Sequence, residues 1–208
     1  RRRERRASHR DRGALGRGTF ALLPDDEAVL VAMAESQAPA LRRASLQILE
    51  VTKGPSGDAT RSGAKRALVL ARDEKASAER RADALRLVAL GGPGEHRDLF
   101  VTLTDAAQPP EVQVAAVRAL GRIGGEDVGH LLLARWRSLA APARSAAAEV
   151  LLHEPGTTRL LVDALRNGEV QAWTLSFWQK RDLLMNEDPA IRDRARPLLE
   201  EAPGGREA

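Results

Sequence analysis

The sequence predicts an all-α fold, and three observations support this prediction. Ala occurs 36 times and Leu 29 times in 208 residues, and both residues are strong helix formers. Residues favoured in sheets are scarce, because the chain has three Ile, 13 Val and no Tyr. The third observation is a helical pattern that recurs along the chain, with apolar residues returning at the spacing of one helix face. Together these features are typical of a helical repeat protein.

The recurring pattern is clearest at 111–121. Copies of it align at 80–88 and 143–151, and weaker copies at 41–49 and 191–199. One column of the alignment holds only small residues, which allow close approach of helix backbones: Ser45, Ala84, Ala116, Ala147 and Ala195. The column three residues earlier is basic in four of the five copies: Arg42, Arg81, Arg144 and Arg192, with Gln113 in the third copy. We expect each of these arginines to bond to a carboxylate or carbonyl of the adjacent repeat.

Partner helices are expected between the copies. We place them at 25–36, 61–74, 95–106, 126–139 and 157–167, with an extra helix near 174–185. Pro109-Pro110, Pro142 and Pro189 stand just before or within the first turn of a repeated helix, where proline is tolerated. Pairs of glycines at 91–92 and 124–125 are expected to end helices, and so is Gly168. The segment 53–58 is expected to form a flexible loop, which explains the 39-residue interval between the first two copies.

Two segments resemble HEAT repeats: Asp188 to Arg192, and Val112 to Gly121. HEAT repeats are α-solenoid units whose second helix commonly reads as a proline or acid, then Val-Arg, Ala and Ala-Leu-Gly. This resemblance implies a right-handed α-solenoid of about five HEAT-like helix hairpins over 21–200. It also implies a non-catalytic scaffold that binds proteins, because such arrays recognise partners along an extended surface.

A narrower resemblance covers the C-terminal part of the chain. Residues 160–165, 168–170, 183–184 and 188–195 are similar to a segment of large planctomycete-type proteins that carry a dehydrogenase-like domain, HEAT repeats and a c-type cytochrome domain. In that family the segment lies just before the cytochrome. The resemblance implies an interdomain segment of a cytochrome-c-containing bacterial protein, located outside the cytoplasm; without it a cytoplasmic location is expected. Since the chain has no Cys, any haem c belongs to a domain downstream, and no cofactor is expected here.

The positive charge is concentrated at one end of the chain. The formal net charge is +4, but residues 1–17 contain eight Arg against one Glu and one Asp, a local net charge of +6, so that the rest sums to −2. We expect a disordered basic arm over 1–20 and a linker-like tail over 201–208. The net charge of −2 on residues 18–208 makes nucleic acid an unlikely partner. An array similar to the HEAT-like DNA glycosylases is one alternative function, and a HEAT-like bilin-lyase accessory subunit is the other.

Catalytic and metal-binding motifs are not found in the sequence. No two of the four His lie four residues apart, as the ligands of a helical zinc site do, and no Ser lies in a nucleophile elbow. No apolar run approaches the roughly 18 residues of a membrane span. We therefore expect no catalytic residue, no metal site and no transmembrane segment. The expected partner is a protein, either a neighbouring domain or a second subunit.

Two groups of residues are candidates for partner binding. Arg86 and Arg118 occupy the same position of the repeat, in a row that Glu149 interrupts, and this mixed row also fits a solvated helix face. Trp173, Phe177 and Trp178 are three of the six aromatic residues. One interpretation packs them onto the core of the last repeat, with Trp173 and Phe177 on one helix face. The other makes them an exposed anchor for a neighbouring domain.

Overall fold

The structure, a computed structural model, describes residues 22–52 and 57–200. The basic arm expected over 1–20 and the linker-like tail expected over 201–208 lie outside the described residues. The same is true of most of the loop expected over 53–58.

Eleven α-helices and no strand make up the regular structure of the described residues, which confirms the predicted all-α class. The helices are α1 (Pro24–Ala34), α2 (Pro39–Val51), α3 (Asp58–Arg72), α4 (Ala78–Gly91), α5 (Arg97–Thr102), α6 (Pro110–Ile123), α7 (Glu126–Ala134), α8 (Ala141–Leu151), α9 (Pro155–Arg166), α10 (Phe177–Leu184) and α11 (Pro189–Glu200). Two short 3₁₀ helices, Pro93–His96 and Ala172–Thr174, precede α5 and α10.

Proline and glycine set the ends of many of these helices. Proline stands in the first two positions of α1, α2, α6, α8, α9 and α11, where its fixed φ suits the helix and its missing N–H costs nothing. Gly92 after α4 and Gly124 after α6 have φ values of 150° and 72°. Side chains rarely adopt this backbone region, so glycine stops both helices where the sequence predicts.

The helices that carry the first four copies of the repeat form one row. Helix α2 packs on α4, α4 on α6, and α6 on α8. The preceding helices cover this row: α3 lies along α4, α1 contacts α2 and α3, α5 packs on α6, and α7 contacts α8 and α9. Helix α11, which carries the fifth copy, packs mainly against α9 and α10. The fifth copy therefore has different neighbours from the other four.

Small residues lie where the helices approach most closely. Ser45, Ala84, Ala116, Ala147 and Ala195 are all buried. A Cβ atom added to Gly121 of α6 would lie 2.5 Å from a methyl carbon of Val150 in α8. A Cβ atom added to Gly91 of α4 would lie 2.3 Å from the Cβ of Ala64 in α3. Such backbone proximity explains why Ala and Gly occur at these contacts and why Leu fills the space between them.

Candidate interaction surfaces

The basic column of the repeat closes the turn inside its own hairpin. In Arg42, Nη1 donates to the carbonyl oxygens six and five residues upstream, at 3.1 and 3.3 Å. In Arg192, Nη1 donates to the equivalent two carbonyls at 2.6 and 3.1 Å. Nε2 of Gln113 donates to the carbonyls of Asp105 and Gln108 at 2.8 and 3.3 Å. These side chains donate to carbonyls of the turn that precedes their own helix.

Three members of this column, Arg42, Arg81 and Gln113, also bond to the next hairpin. Nε of Arg42 lies 2.8 Å from a carboxylate oxygen of Asp83 in α4. Nη2 of Arg81 donates to Oε1 of Gln108 at 3.0 Å, and the N–H of Ala140 donates to Oε1 of Gln113 at 2.8 Å. The contacts within the same hairpin were not predicted from the sequence. Each of these side chains therefore joins a turn to the following hairpin.

Arg144 departs from this arrangement. Its side chain is partly exposed, and among the described residues its guanidinium makes no hydrogen bond or ion pair. The neighbouring carbonyl of Ser145 instead accepts a hydrogen bond of 3.0 Å from Nε2 of Gln179, in the inserted helix α10. The connection beyond α8 is therefore made by Gln179.

Arg86 is held by a carboxylate of the preceding hairpin. Its Nε and Nη2 each lie 2.8 Å from one carboxylate oxygen of Glu50, so that the pair is bidentate. Nη1 lies 3.5 Å from Asp83. The hydrogen bonds to Glu50 raise the pKa of the Arg86 guanidinium above its ordinary value, against the opposing effect of burial. This compensation of charge weakens Arg86 as a contact for a phosphate group.

The structure brings Arg86 and Arg118 to the rim of one hollow between α4, α6 and α8. Arg118 is exposed and lies 3.8 Å from Glu149. The hollow has a volume of about 280 Å³, and besides the two arginines it is lined by Ala82, Pro110, Glu111, Val114, Ala115 and Pro142. A second cavity of about 410 Å³, which includes Glu149 and His153, also borders Arg118. The surface between α4, α6 and α8 is therefore a mostly apolar groove, and charged side chains, including Arg86 and Arg118, lie at its rim.

The aromatic residues near α10 are exposed, which contradicts the interpretation that packs them onto the core and agrees with the one that leaves them exposed. Trp173, Phe177 and Trp178 are 74%, 71% and 62% exposed. The rings of Phe177 and Trp178 meet edge to face, with centroids 5.3 Å apart and an interplanar angle of 78°. The guanidinium carbon of Arg181 lies 4.6 Å from the centroid of the Trp178 ring, over its face. Met185, which is 75% exposed, lies just beyond the end of α10.

Local chain geometry explains this difference. Trp173 belongs to the 3₁₀ helix that ends at Thr174, whereas Phe177 is the first residue of α10, so the two aromatics do not share one helix face. The positions that face the core are Leu175, Gln179 and Leu183. Ser176 and Gln179 form a capping box at the start of α10, and the Ser-x-x-Gln pattern is a sequence signal for this helix start.

Metal-binding and membrane-spanning features are not found within 22–52 and 57–200. No three side chains of the types that bind metals come together there. None of the helices in these two ranges is both long enough and apolar enough to cross a membrane.

The sequence was compared with protein-family models, with curated proteins and with solved structures. No family model matches the chain. No curated protein and no solved structure matches it either.

Proposed function

We propose that the chain is a right-handed α-solenoid of about five HEAT-like helix hairpins and that it acts as a non-catalytic scaffold for protein interaction. The row formed by α2, α4, α6 and α8 supports this proposal, as do the buried small residues at equivalent positions of the repeat. Arg42 and Gln113, which join successive hairpins, give the same support. Stacked hairpins of this kind present extended surfaces to their partners.

The exposure of Trp173, Phe177 and Trp178 is the observation that carries the proposal of a partner. Exposed Trp and Phe leave large apolar areas in water, and aromatic anchors of this kind dominate the energetics of protein interfaces. The short helix α10 gathers these side chains around Arg181, and arginine is also enriched in interface centres. We propose that this aromatic surface, made by Trp173, Phe177 and Trp178, contacts a neighbouring domain or subunit.

We further propose that the neighbour is a c-type cytochrome domain and that the chain is an interdomain segment of a larger extracytoplasmic bacterial protein. The resemblance of 160–195 to the segment before such domains supports this assignment. In this proposal haem c is bound by the neighbour, and the present chain supplies apolar contacts.

A photo-crosslinking experiment in the native host tests this proposal. Trp178 is replaced by p-benzoylphenylalanine, which keeps an aromatic side chain at the surface. The matched control places the same group at Val69, which is 74% exposed on α3. We expect irradiation to join position 178 to a peptide that carries covalent haem, and we expect no such product at position 69. No haem peptide at position 178, or equal yields at both positions, would refute the cytochrome assignment.

The nucleic-acid alternative has less support from the geometry. Arg86 is paired with Glu50, and Arg118 faces Glu149, so the row offers few uncompensated cations to phosphates. We expect no measurable affinity of the chain for random duplex DNA near physiological salt. Binding that persists there and falls steeply as salt is raised would favour this alternative, since phosphate contacts release counterions.

A further inference from the structure

A cavity lies between the first two hairpins, on the side of α4 away from the groove at Arg118. Its volume is about 200 Å³, and its floor is apolar: Ala34, Ala67, Leu70, Ala84 and Leu87. Four charged residues line the remainder, namely Glu35, Arg42, Arg66 and Arg80. The cavity therefore combines an apolar floor with three guanidinium groups and one carboxylate.

Two of the three guanidinium groups are paired. Nε of Arg66 lies 2.8 Å from a carboxylate oxygen of Glu35, and Nε of Arg42 lies 2.8 Å from Asp83. Arg80 differs from both, because its guanidinium makes no ion pair with any described residue. Its Nε is buried and has no hydrogen-bond partner in the described part of the chain. One positive charge at this cavity is consequently uncompensated.

We propose that this cavity binds a small apolar carboxylic acid, with its carboxylate on Arg80 and its hydrocarbon part on the apolar floor. Guanidinium groups bind carboxylates through two parallel hydrogen bonds. The two terminal nitrogens of Arg80 make no hydrogen bond with a described residue and can form such a pair. The carboxylate would compensate the charge of Arg80. This site is independent of the aromatic surface and of the proposed scaffold function.

The volume of the cavity limits the size of the ligand. About 200 Å³ corresponds to roughly seven water molecules at ~30 Å³ each. It lies below the roughly 300–1,000 Å³ of most ligand pockets. A branched acid such as isovalerate, with about seven non-hydrogen atoms, matches both this volume and the Ala and Leu side chains of the floor. Isovaleramide has nearly the same shape without the charge and serves as the control ligand.

Titration of the 208-residue chain with isovalerate, followed by methyl NMR, tests the proposal. We expect saturable shifts of the Leu70 and Leu87 methyl signals with a millimolar Kd, and no saturation with isovaleramide. Arg80→Met should weaken binding at least tenfold, whereas Arg72→Met, an exposed arginine at the end of α3, should leave it unchanged. Undiminished binding by Arg80→Met would refute the site. Equal competition by sulfate would refute the choice of an apolar acid.

Arg80→Met should not destabilise the fold, and a second variant, Ala67→Val, tests the apolar floor of the cavity independently. Arg80→Met removes a guanidinium that has no described partner, so its melting temperature should match that of the unmodified chain within about 2 °C, since removing a group without partners costs little. Ala67→Val narrows the floor and leaves Arg80 in place, and it should also weaken isovalerate binding by several-fold. Unchanged affinity in Ala67→Val would contradict the placement of the hydrocarbon part on this floor.

Discussion

Replacing Gln113 with Met removes three hydrogen bonds from a side chain that is 1% exposed, with little change of volume or helix propensity. Nε2 loses the carbonyls of Asp105 and Gln108, at 2.8 and 3.3 Å. The N–H of Ala140 loses its acceptor, which lies at 2.8 Å. The substitution therefore detaches α6 both from the turn that precedes it and from the turn before α8 in the next hairpin.

The expected loss of unfolding free energy follows from these contacts. A hydrogen bond contributes about 0.5–1.5 kcal/mol net, and a buried group left without a partner costs about 1–3 kcal/mol. Because water can replace some partners at this part-buried turn, we expect a total loss of about 3 kcal/mol. At roughly 2–4 °C per kcal/mol for a chain of this size, the melting temperature should fall by about 6–12 °C.

Urea and thermal unfolding followed by circular dichroism measure this loss. Gln47→Met is the matched control, because Gln47 lies exposed on α2 and its substitution should change stability by less than about 0.5 kcal/mol. Hydrogen exchange at the Ala140 amide should accelerate in Gln113→Met and not in the control. If the two variants have the same stability, the assignment of Gln113 as a connection between hairpins is refuted.

Three other predictions concern groups away from Gln113. Arg42→Met removes the closest partner of the Asp83 carboxylate, which is 6% exposed, and should lower the free energy of unfolding by about 3–5 kcal/mol. A second substitution, Asp83→Leu, should restore most of this stability. Urea unfolding measures the loss, and a value below about 1 kcal/mol for Arg42→Met alone would contradict the prediction. A hydrogen bond from Arg159 lowers the pKa of Asp188, so carboxyl NMR should place its midpoint below the ordinary ~3.9, and Arg159→Ala should raise it. Because the pKa is lower in the folded state, the stabilisation is complete above the unfolded pKa and disappears as pH falls through the folded value. Trp136, which is 3% exposed, should resist acrylamide quenching while the other two tryptophans are quenched, and equal quenching of all three would contradict their placement.

Local sequence signals predict most of the helices. The expected helix at 25–36 corresponds to Pro24–Ala34, and that at 157–167 to Pro155–Arg166, since proline marks the beginning of both. The helix expected at 95–106 is shorter, because α5 ends at Thr102. The Asp105 carboxylate then accepts a hydrogen bond from the N–H of Ala107, and such local bonding favours a turn over a helix.

Interactions between hairpins were harder to predict from the sequence. Arg42 and Asp83 are 41 positions apart, and no local pattern indicates that they meet. The sequence also left open whether Trp178 is buried or exposed, because three aromatics close together fit either a core or an exposed anchor. The capping pattern from Ser176 to Gln179 is the signal that separates Trp173 from α10. The position at which a helix begins therefore determines which of its apolar residues face the core, and composition alone does not give that position.

The distribution of satisfied and unsatisfied groups separates structural from recognition residues. Arg42 and Gln113 have partners in the fold that occupy their hydrogen-bonding groups, so they stabilise the array and are unavailable to a ligand. Arg80 and Trp178 have groups that the fold leaves without such partners, and they lie on α4 and α10, with α6 and α8 between them in the chain. Sites without shared contacts give additive effects. An Arg80→Met change should therefore leave crosslinking at position 178 unaltered, and coupling between the two would mean that the array transmits changes along its row.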